Sequence, residues 1–224
     1  RPSAIGDLTI RAILCFGDSN TWGFDPSTGE RFPAHVRWPG VLARELGDDV
    51  AVVEEGLPGR TAAVFDPAWP HYTALPYLLP ALESHAPLDA VTIMLGTNDV
   101  QEHYGRSAAG VANDIAGLVE IAARSACGPA GAAPHVLVIA PPPIATLSDA
   151  LAEASYGPGA EASRALGRLL ESVAEGSSFP CGFLDAGEVT SFSESDGYHL
   201  DASGHEQLGR AVAAELREVL AKSG

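Results

Sequence analysis

A serine, an aspartate and a histidine are spaced so that they could serve one reaction. Ser19 follows the apolar run 12–16 through Gly17-Asp18, and Asp196 precedes His199 by three residues in the string Asp196-Gly197-Tyr198-His199. A serine hydroxyl is a weak nucleophile until a base comes within hydrogen-bond reach. Imidazole titrates near neutrality and suits that task. A carboxylate three residues before the imidazole, on a tight turn, can reach Nδ1, fix the tautomer and stabilise the imidazolium. Thr21 occupies the last position of what would otherwise be a Gly-x-Ser-x-Gly elbow, so the ordinary α/β-hydrolase arrangement is excluded.

Acyl transfer also needs donors aimed at the oxyanion that develops on the attacked carbonyl, and losing one typically costs about 10²–10³ in turnover. Three candidates are the backbone N–H of Ser19, the backbone N–H of Gly59 and the side-chain amide of Asn98. A glycine at 59 lets the backbone approach a substrate closely. Trp22, Phe24 and Trp38 flank the nucleophile segment, where they could line an apolar acyl or alcohol pocket or simply pack in the core. Arg60 reads as a structural ion pair, with substrate contact as the alternative. His205 reads as a residue of a first helical turn. The other histidines, at 35, 71, 85, 103 and 135, fall in loops or at element ends.

Taken singly, each of these strings has a plain structural explanation as a cap or a turn. Together they follow successive strands. Strands are expected at 10–16, 50–54, 90–95, 136–140 and 183–185, and three of them are near-continuous apolar strings, as in strands buried on both faces. Helices are expected at 38–46, 76–85, 107–126, 160–174 and 202–222. In the last, Leu208, Val212, Leu216 and Leu220 form a stripe, and Ser203 and Glu206 have capping-box spacing. Segments 25–37 and 141–159 read as irregular, and 127–134 as a surface loop. Alternating strands and helices imply a parallel sheet covered on both faces. In such a sheet every strand ends at one edge, where sites form. With strand order 2-1-3-4-5, Ser19 lies between Gly59 and Asn98.

The 224 residues suffice for one domain, taken here as 1–224, with a full core. Lys and Arg total 13 against 29 Asp and Glu, a net charge of −16 that argues against nucleic acid and anionic membranes as partners. Cys15, Cys127 and Cys181 match no zinc spacing and cannot all pair, which favours a reducing compartment. No run approaches the roughly 20 apolar residues of a membrane span, and no signal-peptide core precedes the first strand. Cytoplasmic residence is the expectation.

The strings Phe16-Gly17-Asp18-Ser19-Asn20-Thr21-Trp22-Gly23, Arg37-Trp38-Pro39-Gly40-Val41-Leu42, Glu54-Glu55-Gly56-Leu57, Ile93-Met94-Leu95-Gly96-Thr97-Asn98-Asp99, Ala140-Pro141-Pro142-Pro143 and Asp196-Gly197-Tyr198-His199 resemble the GDSL/SGNH hydrolase family. The likeness extends to its bacterial arylesterase and acyltransferase subgroup. The family's four marker residues match as Ser19, Gly59, Asn98 and His199, with Asp196 completing a triad. Asn20 stands where the family name has leucine. The resemblance implies a flavodoxin-like three-layer α/β/α sandwich and ester hydrolysis without metal or other cofactor. The subgroup implies small acyl groups, aryl or activated esters, transfer to alcohol or peroxide as well as water, and a tight homo-oligomer, often an octamer. Other readings stay open at this point. They are a carbohydrate acetylesterase or thioesterase, a metal-dependent phosphoesterase using Asp18, Asn98, Asp99 and His199, and a catalytically silent carbohydrate-binding or scaffold module.

Overall fold

The computed structural model of the chain describes residues 10–222. Its five strands are β1 (Arg11–Gly17), β2 (Val50–Gly56), β3 (Ala90–Met94), β4 (His135–Ala140) and β5 (Cys181–Asp185). They form one parallel sheet in the order β2-β1-β3-β4-β5. The last strand starts two residues earlier than the sequence suggests, because Cys181 already pairs with Val136. Gly17 sits opposite Gly56 on one side and Met94 on the other, so the chain leaves β1 for its chemistry in the middle of one sheet edge.

Alternation along the strands sends side chains to two cores. Leu14, Phe16, Val91, Ile93, Val136 and Val138 face α3 (Leu78–His85), α4 (Ala108–Arg124) and α6 (Ala160–Glu175), where they pack with Leu82, Ile115, Leu118, Leu166 and Leu170. Ile13, Cys15, Met94, Leu137 and Ile139 face α2 (Trp38–Leu46) and α7 (Ala202–Lys222). The result is the expected three-layer sandwich. The leucine and valine stripe of α7 is buried from Leu208 to Leu220. Arg44–Glu206, Arg210–Glu45 and Arg217–Glu45 ion pairs rim its contact with α2. Trp38 is wholly buried in this layer, so it belongs to the core rather than to a substrate pocket.

Two local expectations are corrected. The cap of α7 is Asp201, whose carboxylate accepts from the Gly204 N–H at 2.8 Å; Ser203 lies inside the first turn, and Glu206 reaches Arg44 instead of closing a capping box. The segment 141–159 is not irregular throughout. Asp149 accepts from the N–H groups of Leu151 and Ala152 and starts α5 (Ala150–Tyr156). The cap decides the matter, because seven residues between turn formers show too little periodicity to reveal a helix. The surface loop 127–134 contains one 3₁₀ turn, Pro129–Gly131. No helix among the described residues is long and apolar enough to cross a membrane.

One glycine lets the sheet carry its site. A Cβ at Gly56, where β2 ends, would lie 2.1 Å from the Trp22 backbone nitrogen and 2.6 Å from the Thr21 carbonyl carbon. These atoms belong to α1 (Ser19–Trp22), the single turn that bears Ser19, and backbone cannot rotate away. Gly56→Ala is expected to cost about 1–3 kcal/mol through this overlap. Thermal unfolding should register a fall of roughly 2–12 °C in Tm.

Candidate active site

The chain turns sharply where β1 stops. Asp18 caps α1, its Oδ1 accepting from the Asn20 N–H at 2.9 Å. Ser19 thus takes the first helical position, with an N–H that has no helical partner. Neither the Ser19 nor the Gly59 N–H donates a hydrogen bond to a described residue. Gly59 has φ +81°, and the ring of Tyr72 fills the space that a Cβ there would need.

The far end of the chain supplies the base. His199 Nε2 is 2.8 Å from Ser19 Oγ, and His199 Nδ1 is 2.6 Å from Asp196 Oδ2. The other Asp196 oxygen accepts from the backbone N–H groups of Tyr198 at 3.1 Å and His199 at 3.0 Å. The turn is made possible by Gly197 at φ +88°. Burial pushes the Asp196 carboxyl up, but the His199 ring and the two backbone donors outweigh it and hold Asp196 below the usual carboxylate range. With Nδ1 bound to a carboxylate, the proton belongs on Nδ1 and the Nε2 lone pair faces the serine hydroxyl.

Asn98 connects the remaining parts. Its Nδ2 donates to the Arg60 carbonyl at 3.1 Å and lies 3.4 Å from Asp18 Oδ2. One amide therefore touches the residue before Ser19 and the residue after Gly59. Ser19 is 6% exposed and His199 8%, so a developing charge here is poorly screened by water. Such an arrangement can activate a hydroxyl, stabilise an oxyanion and return a proton to a leaving group.

The rings are divided. Phe24 lies against the imidazole, with centroids 4.4 Å apart. Trp22 ends α1 half-buried beneath the Arg31 guanidinium, 5.0 Å from its ring. Among the described residues Arg60 forms no ion pair: it donates to the carbonyls of Gly17 and Glu55 and stacks over Phe16 at 4.2 Å, bracing the sheet edge. His205 is in the first turn of α7, as expected, and its Nδ1 accepts from the Trp38 N–H. Burial pushes it down to about 4, so it stays neutral at physiological pH. The acids and His199 do not form a shared ion site. His199 is engaged through both nitrogens, Asp99 accepts from the Ala62 N–H, and no group of three or more His, Cys, Asp or Glu among the described residues is placed to hold a metal.

The structure adds residues that the sequence did not single out for the site. Asn20 donates to the Tyr198 carbonyl at 3.2 Å and accepts from the Leu200 N–H at 3.0 Å. Its amide thus grips the backbone on both sides of His199. The signal was the departure from leucine at this position. Tyr156 and Gln101 reach Asn98 Oδ1 at 3.1 and 3.4 Å, and Tyr198 packs beside His199 at 4.5 Å. Tyr156 belongs to α5, within the stretch that reads as irregular in sequence, and nothing in the pattern marked it.

The model of the GDSL-like lipase/acylhydrolase family matches residues 15–207, a span that contains every residue just described. The chain belongs to that family. Similar solved structures agree along nearly the whole length. A carbohydrate acetylesterase from Sinorhizobium meliloti is 40% identical, with a TM-score of 0.88, covering 93% of this chain and 99% of that one. The aryl esterase of M. smegmatis is 39% identical with the same coverage and TM-score. A second carbohydrate acetylesterase family member from S. meliloti is 34% identical, with a TM-score of 0.88, covering 94% of this chain and 99% of that one. No curated protein matches the chain.

Two acids of this family member are held in unusual states. Burial pushes Asp18 up to about 6, against the pull of the Asn20 N–H and of His199. Burial pushes Asp99 up to about 7, opposed by the Ala62 N–H and reinforced by the Asp18 charge. Asp99 Oδ2 has no hydrogen-bond partner among the described residues, which suits a protonated carboxyl. The folded chain therefore binds a proton at Asp99 that the unfolded chain releases near pH 4. The stability it lends is complete below about 4 and disappears as pH rises through about 7. Asp99→Asn removes that dependence. Urea unfolding at pH 5 and pH 8 should show the wild type losing roughly 2–4 kcal/mol relative to the variant across that rise.

Proposed function

We propose that the protein is a serine esterase that hydrolyses small acyl esters through an acyl-serine intermediate and transfers the acyl group to alcohols. The observation that carries this reading is the line Asp196 Oδ2, His199, Ser19 Oγ, with contacts of 2.6 and 2.8 Å. His199 takes the Ser19 proton as Oγ attacks the ester carbonyl. The N–H groups of Ser19 and Gly59 and the Asn98 amide hold the oxyanion. Collapse expels the alcohol, which receives its proton from His199. Water, an alcohol or peroxide then attacks the acyl-serine with His199 again as base, and the second oxyanion collapses to release the product and restore Ser19.

The names of the solved neighbours support both an aryl esterase and a carbohydrate acetylesterase reading. Phe24 beside the base, and the low exposure of Ser19 and His199, favour transfer by excluding bulk water. Trp22 and Phe24 are assigned to the mouth of the acyl or alcohol pocket. The same reading carries cytoplasmic residence and a homo-oligomer, on the pattern of octamers. A run of partly exposed apolar residues, Phe65, Trp69, Leu75, Tyr77 and Leu79, supports the oligomer.

Ser19→Ala is expected to lower p-nitrophenyl acetate turnover by about four orders of magnitude or more, with an unchanged circular dichroism spectrum. Activity within tenfold of wild type would remove the acyl-serine mechanism. Transfer is tested separately, by supplying an acetyl ester with increasing alcohol in water. The new ester should accumulate alongside acetate; acetate alone at every alcohol concentration restricts the enzyme to hydrolysis.

A further inference from the structure

The oxyanion donor of this chain has an unusual supporter. Asn98 can present either end of its amide, and only one end can donate. The Arg60 carbonyl is an acceptor, so Nδ2 must face it, and Oδ1 must face the other way. There it meets the Tyr156 hydroxyl at 3.1 Å and, at 3.4 Å, Gln101 Nε2. Tyr156 is nearly buried and its ring stacks on Tyr198 with centroids 4.4 Å apart. Tyr198 in turn lies against His199. The phenol is therefore held on both its ring and its oxygen.

We propose that Tyr156 is a positioning residue of the reaction, donating its O–H to Asn98 Oδ1 and so keeping the amide nitrogen turned toward the oxyanion. The inference rests on the esterase reading above. If the amide turned over, its oxygen would face the Arg60 carbonyl and the nascent oxyanion, and the donor would become a repulsive acceptor. Gln101 offers the same orientation through a longer contact, so the phenol hydroxyl is the stronger lock. Burial pushes the phenol up, which keeps the hydroxyl protonated and able to donate. The bond also polarises the Asn98 amide and makes its N–H a better donor when charge develops on the substrate. The donor is needed mainly in the transition state, so its loss falls on kcat and leaves KM nearly unchanged.

Tyr156→Phe keeps the stacked ring and removes only the hydroxyl. With p-nitrophenyl acetate, kcat is expected to fall about 2- to 12-fold, the range one neutral hydrogen bond supplies, with little change in KM. The same substitution is then made in an Asn98→Ala background, where there is no amide to orient. There the further loss should vanish, whereas a phenol that merely supported the fold would lower both backgrounds alike. Equal losses in the two backgrounds, an undiminished kcat in the single variant, or a loss expressed in KM alone would each overturn the assignment. Labelling of Ser19 by a fluorophosphonate separates this from the parent reading. A wild type that neither labels nor turns over ester sinks both, while a labelled, active wild type with an unaffected Tyr156→Phe sinks this inference alone.

Discussion

The contact between Ser19 Oγ and His199 Nε2 joins residues 180 positions apart, and most of the molecule is arranged so that they meet. The hydroxyl is delivered by β1, an interior strand of the sheet, through a one-turn helix capped by Asp18. The imidazole arrives on a turn between the edge strand and the last helix, fixed by Asp196 from within. Asn20 ties one to the other by hydrogen bonds to the backbone before and after the imidazole. A hydrogen bond is short-ranged and sharply directional. Holding it requires the register of five strands and the packing of α7 on α2 to agree within a fraction of an ångström.

Burial makes the cluster effective and also makes it costly. Asp18, Asn20, Asn98 and Asp99 are all at most 5% exposed, and a polar group taken out of water must find partners or lose its charge. The amides find partners. For the acids, burial outweighs the donors they find, which is why Asp18 and Asp99 hold their protons to unusually high pH. On the proposed mechanism, an Asp99 that is neutral below about pH 7 removes one negative charge from the neighbourhood of a forming oxyanion. The low dielectric that penalises these groups also strengthens the hydrogen bonds made within the cluster.

Much of this was legible in the sequence. Parallel strands buried on both faces leave continuous apolar strings, so the parallel sheet could be read, while its order came as an assumption that matches the family resemblance and the structure. The parts that escaped are those set by single contacts. Helix α5 depends on one capping carboxylate, and the start of α7 on Asp201 rather than on Ser203. Arg60 looked like half of an ion pair because its charge is visible in sequence, whereas the carbonyls and rings it meets are not. Tyr156 sits on α5, and its importance appears only when its hydroxyl is found on the Asn98 amide.

The place of the base in the chain has a consequence for biosynthesis. A ribosome finishes β1 and the nucleophile turn long before it reaches the loop that carries the imidazole. Until α7 seats on α2, Ser19 is an ordinary alcohol, no more reactive than any other hydroxyl. A nascent or truncated polypeptide that stops before Asp196 has no means to acylate itself or its neighbours. On the proposed mechanism, reactivity is therefore absent until the segment that carries Asp196 and His199 has been made and has met Ser19.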